Sequence, residues 1–270
     1  MSGVNRKLVV SIVSVLVVAV ALIWLLFRTF SGGYIPGVPT YYIGRDGTWY
    51  PLDLRGKEKN MVGFANDLLQ EIADFEGFRV QIFEVGRHAL FDGLNTDSYD
   101  AVLSSLDPNV INRRSYEFSD LFYSLGPVIV VPADSTVSSL QDLEGKILGI
   151  ESGALQIYNI AEPPNVVIIP YDTAATALEK LDGNLLDAVV IDALRAHVST
   201  DGFYRGRLKV ATSPLTDRGL RLVTKKTPDK VLFVSKFNDG LRKVKESGTY
   251  DALMEKWGLI QTELKENSER

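Results

Sequence analysis

The segment YDAVLSS at residues 99–105 has a close counterpart in LDAVVID at residues 186–192. In each segment an Asp-Ala pair opens a short apolar run, which ends at Ser104 and Ser105 in the first copy and at Asp192 in the second. Ligands of open α/β sheets bind beyond the carboxyl ends of such strands. The repetition therefore predicts two similar lobes with a cleft between them, and it indicates a protein that binds a small molecule.

Strand-like and helix-like patterns alternate around both copies. The helix-like patterns place apolar residues three or four positions apart, as in Phe64, Leu68 and Ile72, and Gly77 ends that helix. Strands are predicted near 41–43, 79–83, 101–103, 146–150, 166–169 and 188–191, and helices near 64–75, 89–94, 153–160, 173–181, 228–246 and 249–257. The alternation predicts an α/β fold with parallel sheets covered by helices.

Composition narrows the function. The chain has 270 residues, of which 46 % are hydrophobic and 23 % charged, enough for a two-lobed globular protein. Its net charge of −5 offers no electrostatic footprint for nucleic acid. The absence of cysteine excludes disulfides, thiolate metal sites and cysteine nucleophiles. The two histidines, His88 and His197, lie far apart, so we expect no metal and no cofactor.

An apolar run at 8–27 follows a basic pair near the N-terminus. A helix of that length covers about 30 Å, the thickness of a bilayer core. Segment 1–33 is therefore predicted to be a transmembrane signal anchor, the alternative being a signal peptide that is cleaved before Tyr34. In either case the remainder is exported to the periplasm, and the Gly- and Pro-rich segment 34–40 is a linker.

Six segments carry a resemblance to a known family. They are MVGFANDLLQEIADFEGFRVQ (61–81), YDAVLSSL (99–106), YEFSDLFYSLGPVIVV (116–131), SLQDLEGKILGIESG (139–153), YDTAATALEKLDGNLLDAVVID (171–192) and LRKVKESGTYDALMEKWG (241–258). In this order and at this spacing they resemble the bacterial extracellular solute-binding proteins of family 3, which are receptors of polar amino-acid ABC importers.

The resemblance implies the type II periplasmic-binding-protein fold, with two parallel-type sheets joined by a two-stranded hinge. The first lobe would hold 40–127 plus 219–260, the second 128–218, and 261–270 would be a charged tail. The implied function is that of an extracytoplasmic receptor, expected to be a monomer. It would trap a polar amino acid or a small derivative by hinge closure and deliver it to an ABC permease in the membrane.

Asp192 is the residue that the resemblance implies for the α-ammonium group of the ligand. A carboxylate only accepts hydrogen bonds and an ammonium only donates them, so the chemistry matches. The same aspartate is suited to cap a helix at 193–198. The two roles are compatible.

Three first-lobe residues match family positions that contact the ligand side chain: Asp46, Trp49 and Arg87. Trp49 has an alternative role as a core or loop-anchoring residue. Arg87 stands where the family commonly has an aromatic residue. A base there indicates an acidic or polar ligand, unless its side chain faces solvent.

The carboxylate grip implied by the family consists of a Ser or Thr and, five residues later, an Arg. Here these positions hold Asp107 and Asn112, and Arg113 is one place late. Ser104, Ser105 and Arg113 are the expected members of this grip. An ionised Asp107 would repel a ligand carboxylate about 4 Å away by about 4 kcal/mol at an effective dielectric near 20, which outweighs the about 1.5–3 kcal/mol of one charge-assisted hydrogen bond.

Three explanations of Asp107 remain open. Followed by Pro108, it is suited to cap the amides of residues 109–110, which is the favoured interpretation. It could also pair with Arg113 or Arg114. Alternatively, the ligand presents an amine or a hydroxyl at this point.

In the second lobe, the family often has a Thr in the loop that follows the strand at 146–150. Here that loop offers Ser152, Gly153 and Ala154, whose backbone amides could still bind an anion at a helix N-terminus. Two other functions compete with the receptor: a dehydratase-like enzyme on the same fold, and a membrane-anchored ligand sensor. Isolated acids such as Glu151 could transfer protons, but no nucleophile elbow or phosphate-binding loop is found, so binding is favoured over catalysis.

Overall fold

The computed structural model describes residues 37–50, 52, 54–152 and 164–263. The membrane segment predicted for 1–33, the helix predicted for 153–160 and most of the charged tail lie outside these residues. Within the described part, no helix is both long and apolar enough to span a bilayer.

Ten strands and six α-helices are found in the described residues. In chain order the strands are β1 (Thr40–Arg45), β2 (Arg79–Glu84), β3 (Ala101–Ser104), β4 (Tyr116–Ser124), β5 (Pro127–Pro132), β6 (Ile147–Glu151), β7 (Val167–Tyr171), β8 (Ala188–Asp192), β9 (Leu208–Val210) and β10 (Gly219–Lys225). The helices are α1 (Glu58–Glu76), α2 (Leu90–Asn95), α3 (Ala174–Asp182), α4 (Ala193–Asp201), α5 (Pro228–Glu246) and α6 (Thr249–Lys256).

The first sheet has the strand order β2-β1-β3-β10-β4. Helices α1, α5 and α6 cover one face, where Phe64 and Phe237 are fully buried against Leu222 of β10. Helix α2 covers the other face through Leu90 and Leu94. Gly77 ends α1 as the sequence predicts: it takes a left-handed φ of 67°, and Phe78 then donates its amide to the carbonyl of Ala73.

The second sheet has the order β7-β6-β8-β5-β9. Helices α3 and α4 pack on one face through small and apolar side chains such as Ala177, Leu178 and Ala196. The other face is covered by the loop that includes Val137 and Leu143. Each sheet therefore has its own core, and the fold has two lobes.

The prediction of two parallel sheets is wrong, because both sheets are mixed. In the first sheet β1, β2 and β3 are parallel, but β10 is antiparallel to β3 and β4. In the second, β6 is parallel to β7 and β8, but β5 is antiparallel to β8 and β9. The reason is the passage between lobes: β5 and β10 enter their sheets from the side at which β8 and β3 end, so they must run the opposite way.

Two short segments connect the lobes and lie side by side. The amide of Leu125 donates to the carbonyl oxygen of Arg218 at 2.8 Å, and that of Leu215 donates to Pro127 at 2.7 Å. A Cβ on Gly126 would lie 2.5 Å from the carbonyl oxygen of Thr216. Glycine at 126 therefore permits the close approach of the two connections.

Candidate ligand-binding site

The ends of β3 and β8 lie next to the hinge. Asp192, the last residue of β8, is paired with Pro127, the first residue of β5. Ser104, the last residue of β3, is paired with Arg221 near the start of β10. Because β5 and β10 follow directly on the two connections, the structure places Ser104 and Asp192 at the hinge-side edges of their sheets.

Asp192 is the N-cap of α4. Its Oδ1 accepts a hydrogen bond from the amide of Arg195 at 3.1 Å, which confirms the capping role predicted from the sequence. Burial raises the pKa of the Asp192 carboxyl above its ordinary value, and the amides of Arg195 and Leu194 and the charges of Arg195 and Arg55 only partly offset this. A further cationic partner would therefore stabilise the ionised form of this half-buried carboxylate.

Arg195 also reaches the end of β6. Its Nη1 donates to Oε2 of Glu151 at 3.0 Å, and the side chains of Arg195 and Glu151 remain 35 % and 43 % exposed. The sequence identifies Glu151 only as an isolated acid and predicts no role for Arg195. The sequence signal that could have identified Arg195 is its position in the first turn of the helix that Asp192 caps. Ser152, the next residue, is exposed, and its hydroxyl donates to the carbonyl of Tyr171 at 3.2 Å.

The first-lobe loop after β3 is folded on itself. The carboxamide of Asn109 accepts hydrogen bonds from the amides of Ile111 and Asn112 at 3.0 and 2.9 Å. The capping role favoured for Asp107 is therefore wrong and belongs to Asn109. The Asn109 side chain lies within hydrogen-bonding distance of the amides at the start of the 3₁₀ turn Asn112–Arg114. The carboxylate of Asp107 is exposed, whereas its carbonyl oxygen accepts from Nδ2 of Asn112 at 2.8 Å.

Arg113 is also engaged within this loop. Its Nε donates to the carbonyl oxygen of Pro108 at 2.6 Å, and its guanidinium lies 5.7 Å from the ring centre of Phe118. Ser104 Oγ accepts from the amide of Leu106 at 3.1 Å, and Ser105 is half-buried. The predicted members of the grip thus lie at the end of β3 and in the loop that follows it, but the Arg113 side chain already makes contacts within that loop.

The loop after β1 holds the other predicted residues. Asp46 accepts hydrogen bonds from the amide and hydroxyl of Thr48. Trp49 is only 3 % exposed, packs in the first-lobe core and donates Nε1 to the carbonyl of Glu58 at 3.2 Å, as a loop anchor does. Arg87 is exposed and stacks its guanidinium 3.9 Å from the ring centre of Tyr50. Gly153 and Ala154 lie outside the described residues.

A mainly apolar cavity of about 230 Å³ opens between first-lobe and second-lobe residues. Leu54, Arg55 and Met61 line it from the first lobe, and Leu194 and Val198 of α4 line it from the second. Asp192 is not itself in the lining, but two lining residues, Arg55 and Tyr123, are close enough to interact electrostatically with its carboxylate. Among the described residues, no group of acidic and histidine side chains is arranged to hold a metal ion.

Two lobes on mixed sheets, joined by paired connections beside the strand ends, define a two-lobed type II binding protein. The chain matches the family model of the bacterial extracellular solute-binding proteins, family 3, over residues 41–260, and it belongs to that family. The resemblance found in the sequence is thereby confirmed.

Individual proteins similar to this chain are consistent with this family assignment. The arginine-binding extracellular protein ArtP of Bacillus subtilis is 23 % identical over 84 % of this chain and 89 % of its own length. The ABC transporter arginine-binding protein 1 of Escherichia coli is 28 % identical over 79 % and 88 %. The L-cystine solute receptor of Neisseria gonorrhoeae, solved in an unliganded open conformation, has a TM-score of 0.58 at 21 % identity, over 84 % of this chain and 96 % of the receptor. That likeness shows the shared fold.

Proposed function

We propose that this protein binds a polar amino acid, or a small derivative of one, between its lobes and passes it to an ABC permease. The main support for this proposal is the half-buried Asp192 carboxylate at the end of β8, whose pKa is raised by burial. The named arginine-binding relatives support an amino-acid ligand, so arginine is the first compound to test.

The α-ammonium group of the ligand is the partner proposed for Asp192. One oxygen of this carboxylate is used by the amide of Arg195, and the carboxylate keeps further acceptor sites. A desolvated carboxylate is stabilised by an opposite charge within about 4–6 Å. The ammonium group supplies that charge with three donors.

Hinge closure is proposed to complete the site. The lobes would comprise 40–127 with 219–260 and 128–218, and they are joined by the paired connections at Leu125 and Arg218. The adjoining apolar cavity has room for part of a ligand side chain. Rotation about such a pair of connections is the usual way in which binding proteins close on a ligand.

A thermal-shift panel of the twenty standard amino acids on the purified full-length chain tests this function. We expect saturable stabilisation by one or a few polar amino acids and no chemical conversion of them. The receptor function would be contradicted if none of them stabilised the protein. Conversion of a bound compound would instead indicate an enzyme.

The N-terminal apolar run is proposed to hold the receptor at the inner membrane, near its permease, unless it is cleaved. This segment lies outside the described residues, so the support comes from its length and from the basic pair before it. N-terminal sequencing of the protein from its native membrane tests the anchor. A mature chain that begins near Tyr34 would show a cleaved signal.

A further inference from the structure

At the first-lobe positions for which the family implies a carboxylate grip, the cation is missing or already engaged, and Arg55, which lines the apolar cavity, is the competing first-lobe cation. Asn112 stands at the position expected for an arginine and donates its side-chain amide to Asp107. The side chain of Arg113 donates a hydrogen bond to the carbonyl oxygen of Pro108. Arg221, the neighbour of Ser104, is 3 % exposed, and its guanidinium is turned to the carbonyl of Ser119 and to Asp217, with Nη2 3.1 Å from the Asp217 carboxylate.

The second lobe does have a cation, and it lies beside Asp192. Arg195 is in the first turn of α4, three residues after Asp192, and its side chain reaches across to Glu151 at the end of the neighbouring strand β6. The ammonium and carboxylate groups of an amino acid are attached to the same carbon. An anion for the first and a cation for the second must therefore be close together, as Asp192 and Arg195 are.

The guanidinium of Arg195 has hydrogen-bond donors that its contact with Glu151 does not satisfy. It has five N–H donors, but its ion pair with Glu151 is made through Nη1. Its Nε is buried and has no hydrogen-bond partner among the described residues. A buried donor without an acceptor is unfavourable, and the 35 % exposure of the side chain leaves it open to an incoming carboxylate.

We propose that Arg195 binds the α-carboxylate of the ligand, and that Glu151 is a resident counter-ion which this carboxylate displaces. The proposal rests on the proposed amino-acid receptor. It assigns the carboxylate to the second lobe, on the same helix terminus as the ammonium site. It also makes Glu151 a competitor of the ligand for Arg195, so the two residues have opposite effects on affinity.

The test is calorimetric binding to the full-length chain of each standard amino acid that stabilises it, compared with the carboxamide of the same compound. Arg195→Gln is expected to weaken binding of the acid about 10- to 150-fold, which corresponds to one charge-assisted hydrogen bond of about 1.5–3 kcal/mol. Binding of the amide should change little. Arg195→Lys, which keeps the charge, should restore part of the preference for the acid, and Glu151→Gln should strengthen binding of the acid.

Matched variants separate the outcomes. Thermal unfolding of each unliganded variant shows whether it is folded, and Arg55→Gln serves as the control cation across the cleft. The proposal is overturned if Arg195→Gln weakens acid and amide equally, if Glu151→Gln weakens the acid, or if Arg55→Gln alone removes the preference. Failure of the wild-type chain to bind any amino acid would instead overturn the receptor function itself.

Discussion

The carbonyl oxygen of Thr216 lies so close to Gly126 that a Cβ there would approach it to 2.5 Å. Beside this contact, the amide of Leu125 donates to the carbonyl oxygen of Arg218. The two connections between the lobes are therefore held as a pair by backbone contacts. Any relative motion of the lobes must take place around this pair.

Gly126→Ala should destabilise the protein by about 1–3 kcal/mol, the usual cost of forcing extra atoms into a packed site. Urea unfolding of the full-length chain measures the change. Gly86→Ala is the matched control, since no atom lies within 4 Å of its added Cβ and its φ of −67° suits any residue. Equal stability of the two variants would show that the connections do not approach as described.

Asn109→Ala should cost about 0.5–2 kcal/mol of stability, as the loss of a capping side chain does. The reason is that Asn109 accepts the amides of Ile111 and Asn112. Asp107→Ala, two residues away, should change the unfolding free energy little, because its carboxylate is exposed. The reverse ranking in urea unfolding would return the capping role to Asp107.

Asp67 should contribute to stability at neutral pH and lose that contribution in acid. Partial burial raises the pKa of its carboxyl, but hydrogen bonds from Lys256 and from Nε1 of Trp257, each 2.7 Å long, lower it more strongly, so the pKa lies below its ordinary value. The contribution is therefore full above the unfolded pKa of about 3.9 and disappears as the pH falls through the folded value.

The measurement is the unfolding free energy of wild-type and Asp67→Asn chains across an acid pH series. The difference between them should be largest near neutral pH and should shrink in acid. A difference that stays constant with pH would show that Asp67 makes no ionic contribution.

Asp192 has the opposite pH dependence. Burial raises its pKa, so the folded protein favours the protonated form, and ionisation at neutral pH destabilises the unliganded protein. Asp192→Asn, which keeps the cap, should therefore be at least as stable as the wild type at pH 7 without ligand. Asp192→Ala, which loses the cap, should be less stable than Asp192→Asn by about 0.5–2 kcal/mol. Equal stability of the two variants would contradict the capping role.

The repeated pattern at 99–105 and 186–192 is enough to predict two lobes, because each copy contains a short apolar strand and the polar residues at its carboxyl end. Strand direction was not predictable in the same way. The individual strands predicted from the sequence do not include β5 and β10, and the direction of both depends on where the chain passes between the lobes.

Within the candidate site, local contacts were more predictable than distant ones. The capping role of Asp192 follows from its position before α4. The pairing of Arg195 with Glu151 joins residues 44 positions apart and needed the sheet register. Asn109 and Asp107 are both good capping residues, and only the path of the loop decides between them.

Asp192→Asn tests most directly whether Asp192 holds the ammonium group of an amino-acid ligand. In calorimetric titrations with the amino acid that most stabilises the wild type, the folded Asp192→Asn chain should bind at least about 10-fold more weakly, since a charge-assisted bond of about 1.5–3 kcal/mol is lost. Unchanged affinity in a folded Asp192→Asn chain would contradict this role.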